Sequence, residues 1–372
     1  MITSVRVVDT GLVYRNPKPH LRAVHAIHPT ISLLENGELV ATFDLGQGPE
    51  SLDYHTELAR STDGGATWQL QGPLIERPRG RPTTHSIRTS LLSDGRMIGF
   101  GSLMYRDDPE EGILNRANLG YVPMDLFVVE SRDDGRSWSS PRILSPPFRG
   151  PAWELCHPIR EMPKGELFVA TSPWRGWDGD LPFGEQAGVL ISSDGGETWP
   201  IWGRTFDGRT TGYIHWEQSI VCLADGRLLA VSWVYDPKTG RNLPSIYSIS
   251  ANRGRTFAAA QPTGFLAQTC KLLHLGNNRV LAAYRRADQP GLWANLVRVE
   301  GDKWVNLSET VLWQGAGSGM AGKANRSDEL SGLKFGFPQM QRLESGEVFL
   351  VFWCHEDSIT NIRWIKLRID AE

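Results

Sequence analysis

The sequence predicts an all-β fold, a six-bladed β-propeller of four-stranded antiparallel blades, and three observations lead there. An octamer recurs as STDGGATW from Ser61, SRDDGRSW from Ser131, SSDGGETW from Ser192 and SANRGRTF from Ser250, at intervals of 70, 61 and 58 residues. Self-similarity at such a period marks a repeat architecture. A second pattern, an apolar strand, a polar turn and another apolar strand, occurs six times in the 372 residues. Glycine and proline number 39 and 23, which favours many turns over long helices.

The units follow in order. ISLLENGELVATF around Gly37 belongs to the first, TSLLSDGRMIGF around Gly95 to the second and IREMPKGELFVAT around Gly165 to the third. IVCLADGRLLAVSW around Gly226, LLHLGNNRVLAAY near Asn278 and MQRLESGEVFLVFW around Gly346 complete the series. Each sets turn formers between β-rich runs, the signature of a hairpin. A second hairpin, ending in the octamer, gives each unit four strands. In the octamer the Asp accepts from turn N–H groups, Gly takes a conformation that a β-carbon resists, and Trp or Phe anchors neighbouring sheets. The fifth unit keeps only GDKW from Gly301, and the sixth has no octamer. There the last strand, IRWIKLRID, needs a partner. TSVRVVDT, near the amino terminus, supplies it and closes residues 1–372 into one domain without a free sheet edge.

Composition narrows the function. The net charge is −3 with no basic run, which argues against nucleic acid or an anionic membrane as partner. No run of eighteen apolar residues occurs and the amino terminus lacks a basic and apolar leader, so the expectation is a cytoplasmic protein that spans no membrane. Cys156, Cys222, Cys270 and Cys354 are widely spaced and read as free thiols, mostly buried. Gly317–Gly322 formally fits GxGxxG but lacks a βαβ context. The oligomeric state is not legible.

Antiparallel strands put the Gly-turns and octamers on one face and the between-blade and second-to-third-strand connections on the other. A ring of blades forms a funnel on that second face, where convergent polar groups make a site. Entering the blades there are His25, His28, His85, Arg88, His157, Arg160, His215, Trp216, Glu217 and Lys271. From the other connections come Asp53, His55, Tyr105, Trp174, Arg175, Trp233, Tyr235, Arg285 and His355. Aromatic faces suit the apolar side of a pyranose and Arg forks suit a carboxylate, so the expected partner is a carbohydrate.

The octamers resemble the Asp-box, and the chain resembles the sialidase (neuraminidase) superfamily with its BNR-repeat members. The resemblance implies the sialidase-like propeller. It also implies a site with three arginines for the substrate carboxylate, a tyrosine nucleophile activated by a glutamate, and an aspartate acid/base. Glu217-Gln-Ser-Ile-Val-Cys-Leu-Ala-Asp225-Gly226 resembles the glutamate's strand. The rest departs from the family. Ile27 stands at the first arginine's place, Trp233 at the second's and Phe337 at the tyrosine's. Arg285 or Arg286 corresponds to the third arginine, and Asp53 or His55 to the acid/base.

The departures predict a different reaction in the same funnel. In a glycoside hydrolase, Glu217 and Asp53 are the carboxylate pair, with His85 and His157 as further catalytic groups. His25, His28, Arg88, Arg160, Trp174, Arg175, His215, Trp233 and Arg285 then bind substrate. A uronate lyase would use Arg88, Arg160 and the histidines, with Tyr105 or Tyr235 as acid. No cofactor is expected, though His28, His85, His157 and His215 would together suit a divalent metal. A non-catalytic glycan-binding propeller is the third alternative.

Overall fold

The structure is a computed structural model that describes residues 4–315 and 334–370. Gly317–Gly322 lies outside the described residues. The chain is all-β and forms six antiparallel blades, as the repeats predict. Their inner strands are His25–Leu33, Thr83–Leu91, the pair Ala152–Glu154 and Arg160–Glu161, Ile214–Cys222, Ala267–Gly276 and Phe335–Arg342. Blades one to five run outward in chain order. In the sixth the outermost strand is Ser4–Tyr14, paired antiparallel with Ile359–Asp370 from Ser4 opposite Asp370 to Tyr14 opposite Ile362. Arg6 clasps Asp370 at 2.7 Å across that seam. Gly11 is required there, because a β-carbon would lie 2.7 Å from the Trp364 ring.

Apolar side chains sit between blades, and separate clusters fill successive interfaces. Phe349, Val351 and Trp364 of blade six meet Ala41 and Phe43 of blade one. Phe100 and Val128 of blade two meet Val169 and Leu190 of blade three. The octamers supply a wedge at this level. Trp199 is 1% exposed and packs with the blade-two residues, Trp68 lies 6.2 Å from Phe349, and Phe257 packs against blade three.

The octamer turn repeats in atomic detail. The first-position Ser accepts from the Gly N–H four residues on: Ser61 from Gly65, Ser131 from Gly135, Ser192 from Gly196 and Ser250 from Gly254. Asp63, Asp133 and Asp194 each accept from the N–H and hydroxyl of the residue four further. These hydrogen bonds hold all three carboxyls down at about 2. In the fourth copy Asn252 accepts from Thr256 N–H through its amide oxygen and donates to the Thr256 hydroxyl, so the turn survives without the charge. Of the cysteines, Cys156, Cys270 and Cys354 are buried and Cys222 is half-buried, all as free thiols.

Candidate functional site

Four of the six inner strands carry the same defect. In blades one, four, five and six the ladder to the second strand skips between Ile27 and Thr30, Trp216 and Ser219, Gln268 and Lys271, and Gly336 and Gln339. Each bulge holds a non-glycine residue at positive φ: His28 at 54°, Glu217 at 47°, Thr269 at 53° and Phe337 at 51°. A bulge re-aims a side chain and breaks the alternation of the strand. The left-handed backbone costs roughly 1–2 kcal/mol at each, strain of the kind that gathers at functional sites. Blade two keeps an unbroken ladder, and blade three loses pairing over residues 155–159.

The bulges of blades one, four and six open onto an axial pocket of ≈ 190 Å³ whose walls include His28, Tyr54, Arg88, Glu154, Glu217 and Phe337. At one side lies Asp44, fully buried. It accepts from Thr56 and Ser86 hydroxyls at 2.6 Å each, from Tyr54 at 2.8 Å and from Arg88 Nη1 at 3.0 Å, with His28 Nδ1 3.3 Å away. Burial alone would raise its carboxyl, but Arg88 and the hydrogen bonds hold it far below the usual range. Burial lowers His28 and raises Tyr54, whose phenol is pushed further up by Asp44.

At the other side lie two glutamates. Glu154 Oε1 accepts from the Glu217 backbone N–H at 2.9 Å. Its Oε2 and the Oε2 of Glu217 are both buried without a hydrogen-bond partner. Burial, and then the neighbouring charge of Glu217, pushes Glu154 up to about 7. Lys271 Nζ donates to Cys156 O at 2.8 Å and Glu217 O at 3.4 Å and sits 4.6 Å over the Phe337 ring. Arg285 donates to Gln268 Oε1 and Phe335 O, both neutral, and burial lowers it to about 10. Gly336 leaves room for this guanidinium, since a β-carbon would lie 2.7 Å from Nη1.

Glu217, His28 and Arg88 therefore share one pocket, while Arg285 is held against Phe335 and Gly336, next in the chain to the Phe337 wall. An aromatic cluster flanks Glu217: Trp216 stacks on Tyr235 at 5.2 Å, with Trp233 and Trp174 at 4.8 and 6.0 Å. The indoles of Trp174 and Trp233 are fixed by bonds to Leu119 O and Asn242 Oδ1.

Other expectations are corrected. Asp53 does not line the pocket that holds Glu217. It sits in the loop of blade one, where hydrogen bonds from Ser51 and the Gln47 N–H hold it low against the effect of burial. His157 is a structural bridge, donating through Nδ1 to Pro158 O and accepting through Nε2 from the Ile220 N–H. His85 is wholly buried 6.4 Å from His55, both its nitrogens unpartnered, and burial lowers it to about 4. His25 instead shares the Thr360 hydroxyl with His355. Arg175 is paired with Glu185 at 2.6 Å and ties the blade-three loop to Asn118 O. Arg160 pairs opposite Phe168 near the Gly165 turn, away from the Glu154 end of its blade. His215 lines a different groove, between blades three and four. The four histidines suggested for an ion are thus dispersed, and among the described residues no three His, Cys, Asp or Glu side chains form a metal-binding group.

Sequence reasoning missed Glu154, Asp44 and Tyr54. A signal for Glu154 exists: Trp153-Glu154 enters blade three as Trp216-Glu217 enters blade four.

Against solved structures the chain aligns over 95% of its length, and 96% of the other chain, with the intramolecular trans-sialidase of Ruminococcus gnavus in complex with oseltamivir carboxylate, at a TM-score of 0.65 and 13% identity. It aligns over 92% of its length with a Trypanosoma rangeli sialidase in complex with sialic acid, covering 54% of that chain at a TM-score of 0.63 and 13% identity. This is a sialidase-like fold. A Dyadobacter fermentans protein of unknown function shares the sialidase-like propeller over 98% of this chain and 99% of its own, with a TM-score of 0.75 and 20% identity. Among curated proteins, a Bacteroides fragilis sialidase is 24% identical over 206 residues, 46% of this chain and 34% of that one. The match spans about a third of that relative. No protein-family model matches the chain.

Proposed function

We propose that this propeller is a carbohydrate-active enzyme, a glycoside hydrolase whose carboxylate pair is Glu154 and Glu217. The observation that carries the reading is the pocket's two partnerless carboxyl oxygens, with one of the two acids pushed up to about 7. An acid protonated near neutrality donates to a glycosidic oxygen as it leaves; a nearby carboxylate stabilises or attacks the anomeric carbon, directly or through water. Glu154 takes the first role and Glu217 the second. Arg88 and His28, fixed by Asp44, hold sugar hydroxyls, and the Trp216–Tyr235 stack covers an apolar sugar face. Phe337 in the wall has no hydroxyl with which to attack, which speaks for a reaction other than sialidase chemistry by a tyrosine nucleophile.

The test is turnover of an oligosaccharide panel by the wild type and by Glu217→Gln. The variant should lose about a thousandfold or more in kcat while melting as the wild type does. Equal turnover would remove Glu217 from the chemistry. An unsaturated product absorbing in the ultraviolet would identify a lyase, and binding without turnover a lectin-like propeller.

A further inference from the structure

A second concavity lies outside the axial pocket, along the seam between blades three and four. It is a groove of ≈ 800 Å³ between the outer strand Ile201–Asp207 and the octamer return of blade four, residues 255–260. Phe148, Phe183, Trp202, Tyr213 and Phe257 line it and are half-buried, so their rings are partly open to solvent. Phe148 holds two of the others, Phe183 at 4.5 Å and Trp202 at 5.1 Å.

Two further observations say what would occupy it. His215 lines the groove, is 9% exposed, and has a buried Nδ1 without any partner. A buried polar atom ordinarily has a hydrogen-bond partner, and here the chain supplies none. The charges around it are already matched within the chain, Arg204 with Asp207 at 3.3 Å and Arg255 with Glu166 at 2.8 Å. An ionic ligand would find no uncompensated partner. Half-open aromatic rings beside one unpartnered imidazole nitrogen and neutralised charges suit an uncharged polyhydroxylated ring.

We propose that the groove between blades three and four is a binding site for a neutral oligosaccharide, separate from the axial pocket, with His215 hydrogen-bonded to a sugar hydroxyl. It does not depend on turnover. His215 is two residues before Glu217 on one strand, yet the bulge that begins after Trp216 sends the two side chains to different cavities. Burial lowers His215 to about 4, so the ring is neutral at the pH of the assay and suited to an uncharged partner.

The experiment is native electrophoresis of the Glu217→Gln protein through gels containing a neutral polysaccharide (a β-glucan, a xylan or a galactomannan), with a polysaccharide-free gel and a pectate gel alongside. Retardation in at least one neutral gel is expected. His215→Phe, which keeps a ring 5.6 Å from Phe206, should weaken it about tenfold, a loss of one hydrogen bond's order. Tyr213→Ala should weaken it likewise. The same Tyr213→Ala change in the active protein should leave turnover of a short substrate unaltered. Absence of retardation in every neutral gel overturns the proposal, as does retardation that both substitutions leave intact, or retardation by pectate alone. Loss of the hydrolase reading would leave the gel result standing, and a failed gel would leave the turnover of the axial pocket untouched.

Discussion

The octamer turns and the bulged inner strands are both departures from plain β-ladder, and they resolve their polar atoms in opposite ways. At Ser61, Asp63, Gly65 and Thr67 each donor finds an acceptor in the same turn, and the positive φ angles fall on Gly64 at 71° and Gly65 at 96°, with Asp134 at 62° and Arg253 at 56° in the place of the first glycine in the second and fourth copies. At the bulges the positive φ angles fall on His28, Glu217, Thr269 and Phe337, and one carboxyl oxygen each of Glu154 and Glu217 finds no partner. The first arrangement is closed and repeats from blade to blade; the second leaves polar atoms open and carries a different side chain in each of the four blades that have it. Stability therefore resides mainly in the repeated face and the interfaces beneath it, while the pocket proposed for catalysis lies where the repeat breaks down.

If that division holds, substitutions on the two faces should separate stability from activity. Trp199→Ala, in the wedge between blades two and three, should cost about 3–5 kcal/mol in urea denaturation, with near-normal activity per folded molecule. A comparable loss of activity in the folded fraction would join the two faces.

Glu154→Gln should do the reverse and stabilise at alkaline pH. The carboxyl titrates near 4.5 in the unfolded chain and about 7 in the fold. Its contribution to folding is thus fully present below 4.5 and is lost as pH rises to 7. By linkage the wild type forfeits about 3 kcal/mol over that window. The Gln variant should not, so its advantage in urea midpoint appears at pH 8 and vanishes at pH 4. An equal midpoint difference at both values would deny the shift.

Asp194→Asn is the mildest test. The Asn252 copy keeps both hydrogen bonds to the residue four further, so the change should cost no more than about 1 kcal/mol in thermal unfolding. A cost like that of Trp199→Ala would show that the charge, rather than the hydrogen-bond pattern, holds the turn.

The same contrast explains what could be read from the amino acids. Octamers and Gly-turns repeat because every blade solves the same local problem, so six blades, the octamer anchors and the closing strand were all legible. The site was legible in part. Glu217 and Arg88 could be placed because they stand at countable distances from a turn glycine. Asp53 stands before the first octamer, but nearness to an octamer says nothing about which way a loop carboxylate turns, and Glu154 carries no such marker. His157 misled because a buried imidazole satisfied by backbone has the same sequence context as a ligand-binding one, and His85, wholly buried, is not among the residues that line the pocket. Two bulges leave a trace, since Pro29 and Pro338 cannot donate to an inner-strand ladder, but nothing in Glu217-Gln218 or Thr269-Cys270 announces a left-handed backbone, and Asp44 is marked only by Ser86 and Arg88 of the next blade, which close over it.

The most direct measurement is the pH dependence of kcat/KM for an unactivated oligosaccharide and for an aryl glycoside whose leaving group needs no proton. With Glu154 as acid, the first substrate loses rate above pH about 7. Glu154→Gln should abolish its turnover yet spare the aryl glycoside, while Glu217→Gln fails on both. An alkaline limb that persists unchanged in Glu154→Gln, or the same rate loss on both substrates, would contradict the assignment of Glu154 and Glu217 as the working pair.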